Sequence, residues 1–140
     1  MIKNRYKCNN GITLAGMLIT AAIITLLAVI AIPQFLSSRM RANESSARAA
    51  LKTISTALEA YAEEGKQGYP TDISLLITAE PPYLNRNYIA NSLVQGYNFA
   101  CEFLDINGYS CSAKPEICGQ TGSGIYTITT GGVFTERDCK

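Results

Sequence analysis

Hydrophobic and polar positions follow three rhythms along this 140-residue chain. From Leu14 to Ile32, nineteen residues contain nothing more polar than Thr20 and Thr25, and no charged side chain falls between Lys7 and Arg39. As a helix rising about 1.5 Å per residue, the run covers roughly 28 Å, close to a bilayer's hydrocarbon core. Behind Pro33 the rhythm changes. Leu36, Met40, Ala47, Leu51, Ile54, Leu58 and Tyr61 recur at steps of three, four or seven, which places them on one helical face. Arg39, Arg41, Arg48, Lys52, Glu59 and Glu63 lie largely off that stripe. The pattern predicts an apolar helix that continues into an amphipathic one covering a soluble domain. Pro33 removes one backbone hydrogen bond and bends the rod without ending it. Gly65, after Glu63-Glu64, suits a C-cap. The rod from Ile12 to Glu64 holds 53 residues, or about 80 Å of helix.

Beyond Gly65 the helical period stops. Gly68-Tyr69-Pro70 reads as a turn, and Thr71-Asp72 can cap a short helix through Leu75, Leu76 and Ile77 that Pro81-Pro82 ends. After Asn91 the period becomes two. Tyr97, Phe99, Cys101 and Phe103 alternate with Asn98, Ala100, Glu102 and Leu104, the signature of a half-buried strand. Asp105-Ile106-Asn107-Gly108 supplies a hairpin turn, with Asn-Gly tolerating positive φ. Residues Tyr109–Ala113 return. Gly119 to Gly124 forms a flexible loop, and Ile125–Thr129 and Val133–Thr135 make a second hairpin around Thr130-Gly131-Gly132. The expected architecture is α+β: one long helix packed on a small antiparallel sheet. Its divisions are residues 1–11, the apolar segment 12–33, the amphipathic continuation 34–64 and a globular head 65–140.

Charge gives the rod a direction. Lys3, Arg5 and Lys7 precede the apolar run, and the first acidic residue is Glu44. Cationic flanks stay cytoplasmic, so the carboxyl end is expected outside. Eleven Leu, Ile or Val between Ile12 and Ile32 favour insertion by about 3–7 kcal/mol in sum. Gly16–Thr20 and Ala21–Thr25 are small residues four apart, a spacing that lets helices approach closely, although Ala and Gly are common in membrane helices anyway. A secretory signal cleaved after Val29-Ile30-Ala31 would share the basic start and apolar middle. So would a plain anchor.

Candidate chemistry is sparse. The chain has no histidine, which removes the commonest general base and most metal sites. Without residues 1–11 the remainder is slightly acidic, giving no footprint for nucleic acid. The glycine-rich stretch Gly119–Gly124 lacks the Lys-Ser/Thr of a phosphate loop. No catalytic constellation, and hence no enzymatic activity or cofactor, is expected. Cys101, Cys111, Cys118 and Cys139 all fall in the exported part, where an even set reads as disulfides; a zinc site is the rival, without Cys-x-x-Cys spacing or histidine. Three connectivities are open. Cys101 and Cys111 flank Ile106 symmetrically, and would pair across the first hairpin if its loop gives that register.

Gly11-Ile12-Thr13-Leu14 and Ile30-Ala31-Ile32-Pro33-Gln34-Phe35 resemble the type IV pilins and the pseudopilins of type II secretion. The family pattern is a basic leader ending in Gly, then a hydrophobic residue, Thr, Leu, and a proline at mature position twenty-two. Counted from Ile12, that proline is Pro33. Tyr69-Pro70-Thr71, Pro82-Tyr83-Leu84 and Gly96-Tyr97-Asn98-Phe99 look like the layout of major-pseudopilin-like heads, although the Asp-Pro-Trp-Gly segment is missing. The resemblance implies a pilin fold and a structural role in a filament. It implies cleavage of the leader, residues 1–11, between Gly11 and Ile12 by a prepilin peptidase, followed by N-methylation of Ile12. It also implies copies of this chain and related pilins, an assembly ATPase and an inner-membrane platform as partners. The subunit would wait in the bacterial inner membrane and then enter a periplasmic or surface filament. Where the family usually carries Glu, this chain has Gly16, which points to a minor or atypical subunit. A Cys118–Cys139 staple would resemble the pilin C-terminal disulfide loop. Major pseudopilins bind calcium, but Asp105 and Asn107 offer two oxygen side chains where six to eight oxygens are wanted, so turn chemistry is the preferred reading of that stretch. The rival class is a signal-exported or membrane-anchored extracytoplasmic binding domain.

Overall fold

A computed structural model describes residues 13–64, 68–90 and 93–139. Helix α1 runs from Leu14 to Glu63 with Pro33 inside it. A short α2, Ser74–Thr78, follows, and then four strands: β1 Tyr97–Asp105, β2 Gly108–Pro115, β3 Gly124–Thr129 and β4 Val133–Asp138. The strands form one antiparallel sheet in the order β1-β2-β3-β4. The chain divides after Phe35 into two compact units. The expected C-cap at Gly65 lies outside the described residues.

In the first unit the helix exposes every large apolar side chain it carries, from Leu14 at 81% to Ile23 at 54%. The second unit holds the core. Its stretch of α1 buries Ala47, Ala50, Leu51, Ile54, Ala57 and Leu58 against Tyr97, Phe99, Tyr109, Cys111, Ala113, Tyr126 and Ile128 of the sheet, with Leu76 and Leu84 closing one side. A fully buried leucine such as Leu51 or Leu58 is worth about 2–5 kcal/mol when truncated to Ala. The amphipathic stripe is therefore real, but it starts later than its period suggests. Leu36 is 60% exposed and Met40 is half-buried. Polar contacts join α1 to the loop before β3 at Asn43, whose Nδ2 donates to Thr121 O at 3.1 Å, and at Glu44.

Two local expectations change. Tyr97, Phe99 and Cys101 face inward, but a bulge between Cys101 and Phe103 inserts Glu102 as an unpaired residue. An extra residue reverses the facing of everything after it, so Phe103 is 50% exposed and Leu104 packs on the core. The Asp105–Gly108 hairpin forms, with Ile106-Asn107 as its two-residue loop. Neither Asn107 nor Gly108 takes a positive φ there. Gly108 is needed for space instead, since a Cβ would stand 2.5 Å from Thr130 Oγ1.

Candidate functional site

The functional surface and the scaffold behind it are built on one helix. At its start Thr13 acts as N-cap: its Oγ1 accepts from Gly16 N at 3.2 Å. Further on, Thr20 Oγ1 donates to Met17 O at 2.9 Å, and Thr25 Oγ1 donates to Ala21 O and Ala22 O at 3.1 and 2.9 Å. Both hydroxyls are thus satisfied within the helix, as a hydrocarbon medium demands. Pro33 has no N–H for the carbonyl of Val29, and the helix continues through it. By length and composition this segment can cross a membrane, and its most apolar 18-residue window has mean hydropathy 2.6. Gly11 and Ile12 lie outside the described residues. Gly16 is half-buried and Thr20 exposed, one turn apart on the helix.

The second unit holds its sheet to α1 through polar contacts invisible in the period. Glu59 lies off the apolar stripe, yet it is half-buried and engaged by the head. Glu59 Oε1 accepts from Tyr109 Oη at 2.9 Å and Gly131 N at 2.8 Å, and its Oε2 accepts from Tyr69 Oη at 2.8 Å. Since Tyr109 gives its proton to Glu59, Ser55 Oγ donates to Tyr109 Oη at 2.7 Å. Burial, and then the bond to Glu59, push the Tyr69 phenol up to about 12. Glu64 accepts from Tyr83 Oη. Arg48 donates to Glu136 Oε1 at 2.8 Å and to Tyr126 Oη at 3.2 Å, with its guanidinium 4.7 Å from the Tyr126 ring centroid. Both ions of that pair are nearly half exposed, so the pair itself adds at most about 1 kcal/mol. Glu44 Oε1 accepts from Ser123 N and Oγ at 2.8 and 2.7 Å. No local sequence pattern signals such contacts, because each joins residues far apart in the chain.

The cysteines lie at the sheet's flank and end. Cys101 and Cys111 are partners in the β1–β2 register and are bonded to each other. Cys118 bonds to Cys139, with Cα atoms 5.9 Å apart, tying the tail to the loop before β3. That glycine-rich loop, expected to be flexible, is shaped by packing. A Cβ on Gly122 would stand 1.9 Å from Tyr97 Oη, and one on Gly124 would stand 2.7 Å from Tyr126 Oη. Asp105 and Asn107 sit at the hairpin tip, where Asp105 Oδ1 accepts from Ile106 N at 2.7 Å. Among the described residues no three His, Cys, Asp or Glu side chains gather as a metal cluster.

A membrane-length apolar helix whose carboxyl half packs on a four-stranded antiparallel sheet is a pilin-like α+β arrangement. Among known proteins, the chain is similar to the type IV major pilin protein PilA of Myxococcus xanthus (strain DK1622), at 41% identity over 56 residues. The match covers 40% of this chain and 26% of that protein, so it spans about a quarter of the relative's length. No protein-family model matches the chain.

Proposed function

We propose that this chain is a structural subunit of a type IV pilus-like or type II secretion pseudopilus filament. One observation carries the reading: a single helix presents bare apolar surface along one half and anchors a folded head with the other. The likeness to a type IV major pilin supports it. In this reading Lys3, Arg5 and Lys7 hold the amino end in the cytoplasm. A prepilin peptidase cuts between Gly11 and Ile12, and Ile12 is N-methylated. A cut in front of the apolar run leaves the helix attached to the head. An assembly ATPase and a platform protein of the inner membrane then draw the subunit into a filament of its own copies and related pilins. Residues Ile12–Ile32 exchange lipid for neighbouring helices, a nearly neutral exchange that depends on close approach at small residues such as Gly16 and Thr20. Head-to-tail contacts that do not close yield open filaments.

Mass spectrometry of the amino terminus of the mature protein tests this. A start at methylated Ile12 is expected. A start at Ile32 would instead indicate an exported binding domain, and an intact Met1 a plain anchor. Gly16 stands where the family usually carries Glu, and we take the subunit to be a minor or atypical one on that ground. Gly16→Glu should then change its incorporation or the filament length; unchanged filaments would count against that assignment.

A further inference from the structure

The flank of α1 that turns away from the core carries charges the head does not use. Arg41, Lys52 and Glu63 are spaced eleven residues apart. Eleven residues overshoot three full turns by only about 20°, so the three side chains fall along one line of the helix at intervals of roughly 16 Å. All three are exposed, and none enters a hydrogen bond or ion pair among the described residues. Arg48 and Glu59 lie beside the same line, but Glu136, Tyr126, Tyr69, Tyr109 and Gly131 engage them. The sign also runs one way. From Arg39 to Lys52 the helix has four cations and one acid, and from Thr53 to Glu64 it has three acids and no cation. Acids at a helix's carboxyl end face the negative end of its dipole. Among the described residues no cation pairs with Glu63.

We propose that this flank receives a second copy of this chain, parallel to the first and displaced along it so that Arg41 of one copy meets Glu63 of the next. The proposal rests on the filament reading above. The displacement is 22 residues, or roughly 33 Å. A displacement of eleven residues would pair Lys52 with Glu63 but would also set Arg41 beside Lys52, and juxtaposed like charges oppose association. The longer displacement pairs opposite charges on this line and opposes no like ones. Charge complementarity of this kind fixes register more than it adds affinity, and register is what a helical array of identical subunits requires.

Cross-linking in filaments reads the register. Arg41→Cys combined with Glu63→Cys, treated with a short bismaleimide in sheared filaments, should give a ladder of multimers on reducing gels. Lys52→Cys combined with Glu63→Cys should not. A ladder from the second pair, or none from the first in intact filaments, overturns the register while leaving the filament reading standing. Absence of filaments from the unaltered chain overturns both. Charge exchange keeps the test open if the cysteine variants do not assemble. Arg41→Glu and Glu63→Arg should each cut filament yield by about tenfold, and the two together should restore most of it. A combined variant as deficient as either single one overturns the pairing.

Discussion

Glu59 accepts from three donors on three separate stretches of chain: the turn before α2, strand β2 and the loop between β3 and β4. Hydrogen bonds to a charged group contribute about 1.5–3 kcal/mol, and they act here as a unit, so their removal is not simply additive. Glu59→Ala should lower unfolding stability by about 2–4 kcal/mol in urea titrations, because Tyr69 and Tyr109 lose their acceptor together. A loss below half a kcal/mol would show that water replaces the carboxylate. The same cluster sets an alkaline limit. The Tyr69 phenol is pushed up to about 12 in the folded chain, first by burial and then by Glu59. An unfolded tyrosine titrates near 10. The unfolded chain therefore releases this proton first as pH rises, and the stability it supports is fully present below pH 10 and lost on the way to 12. Melting temperatures followed from pH 9 to 11.5 should fall less steeply for Tyr69→Phe than for the unaltered chain.

At the scale of elements, period located the second half of α1 and strand β1, which each bury one face. Apolar length located the first half of α1, and capping and turn residues located α2 and both hairpins. Period failed where a single residue breaks the phase. Nothing in Cys101-Glu102-Phe103 announces a bulge, so Phe103 was expected inside and Leu104 outside, the reverse of the structure. The Asn-Gly pair correctly marked the β1–β2 turn, but for a reason the backbone does not use, since Gly108 answers to Thr130 across the sheet. Contacts such as Glu44–Ser123 and Glu59–Gly131 were not legible at all, because they arise only once the sheet has folded over the helix. The bulge has a test of its own. With Glu102 deleted, Cys101↔Cys111 and Phe103↔Ser110 become consecutive pairs, so every neighbour keeps its face. The lost Lys114–Glu102 ion pair is exposed and worth at most about 1 kcal/mol. Deleting Ala100 instead reverses Tyr97 and Phe99 relative to Cys101. The first deletion should leave the Cys101–Cys111 disulfide and a cooperative unfolding transition, while the second should abolish both. Equal damage from the two would remove the bulge as the explanation for Phe103.

Every buried residue of the described chain lies at Ala47 or beyond, and from Leu14 to Phe35 the large apolar side chains are more than half exposed. Monomeric soluble proteins rarely leave contiguous apolar patches larger than a few hundred Å² uncovered. In the proposed reading lipid covers this surface first, and other copies of the same helix cover it in the filament. The head does not depend on that cover. Its core, its sheet, both disulfides and the Glu59 cluster belong to the unit that starts at Leu36. The two parts should therefore separate cleanly by experiment. A chain begun at Leu36 and exported by an unrelated signal should be recovered without detergent, with both disulfides formed and a melting temperature within a few degrees of the full chain in detergent. The full chain should remain with the membrane fraction after an alkaline carbonate wash, which strips proteins held only by charge. Release of the full chain by carbonate would mean that the apolar segment does not lie in the bilayer. Aggregation of the shortened chain would mean that residues before Leu36 contribute to the head's stability, for which its packing gives no reason.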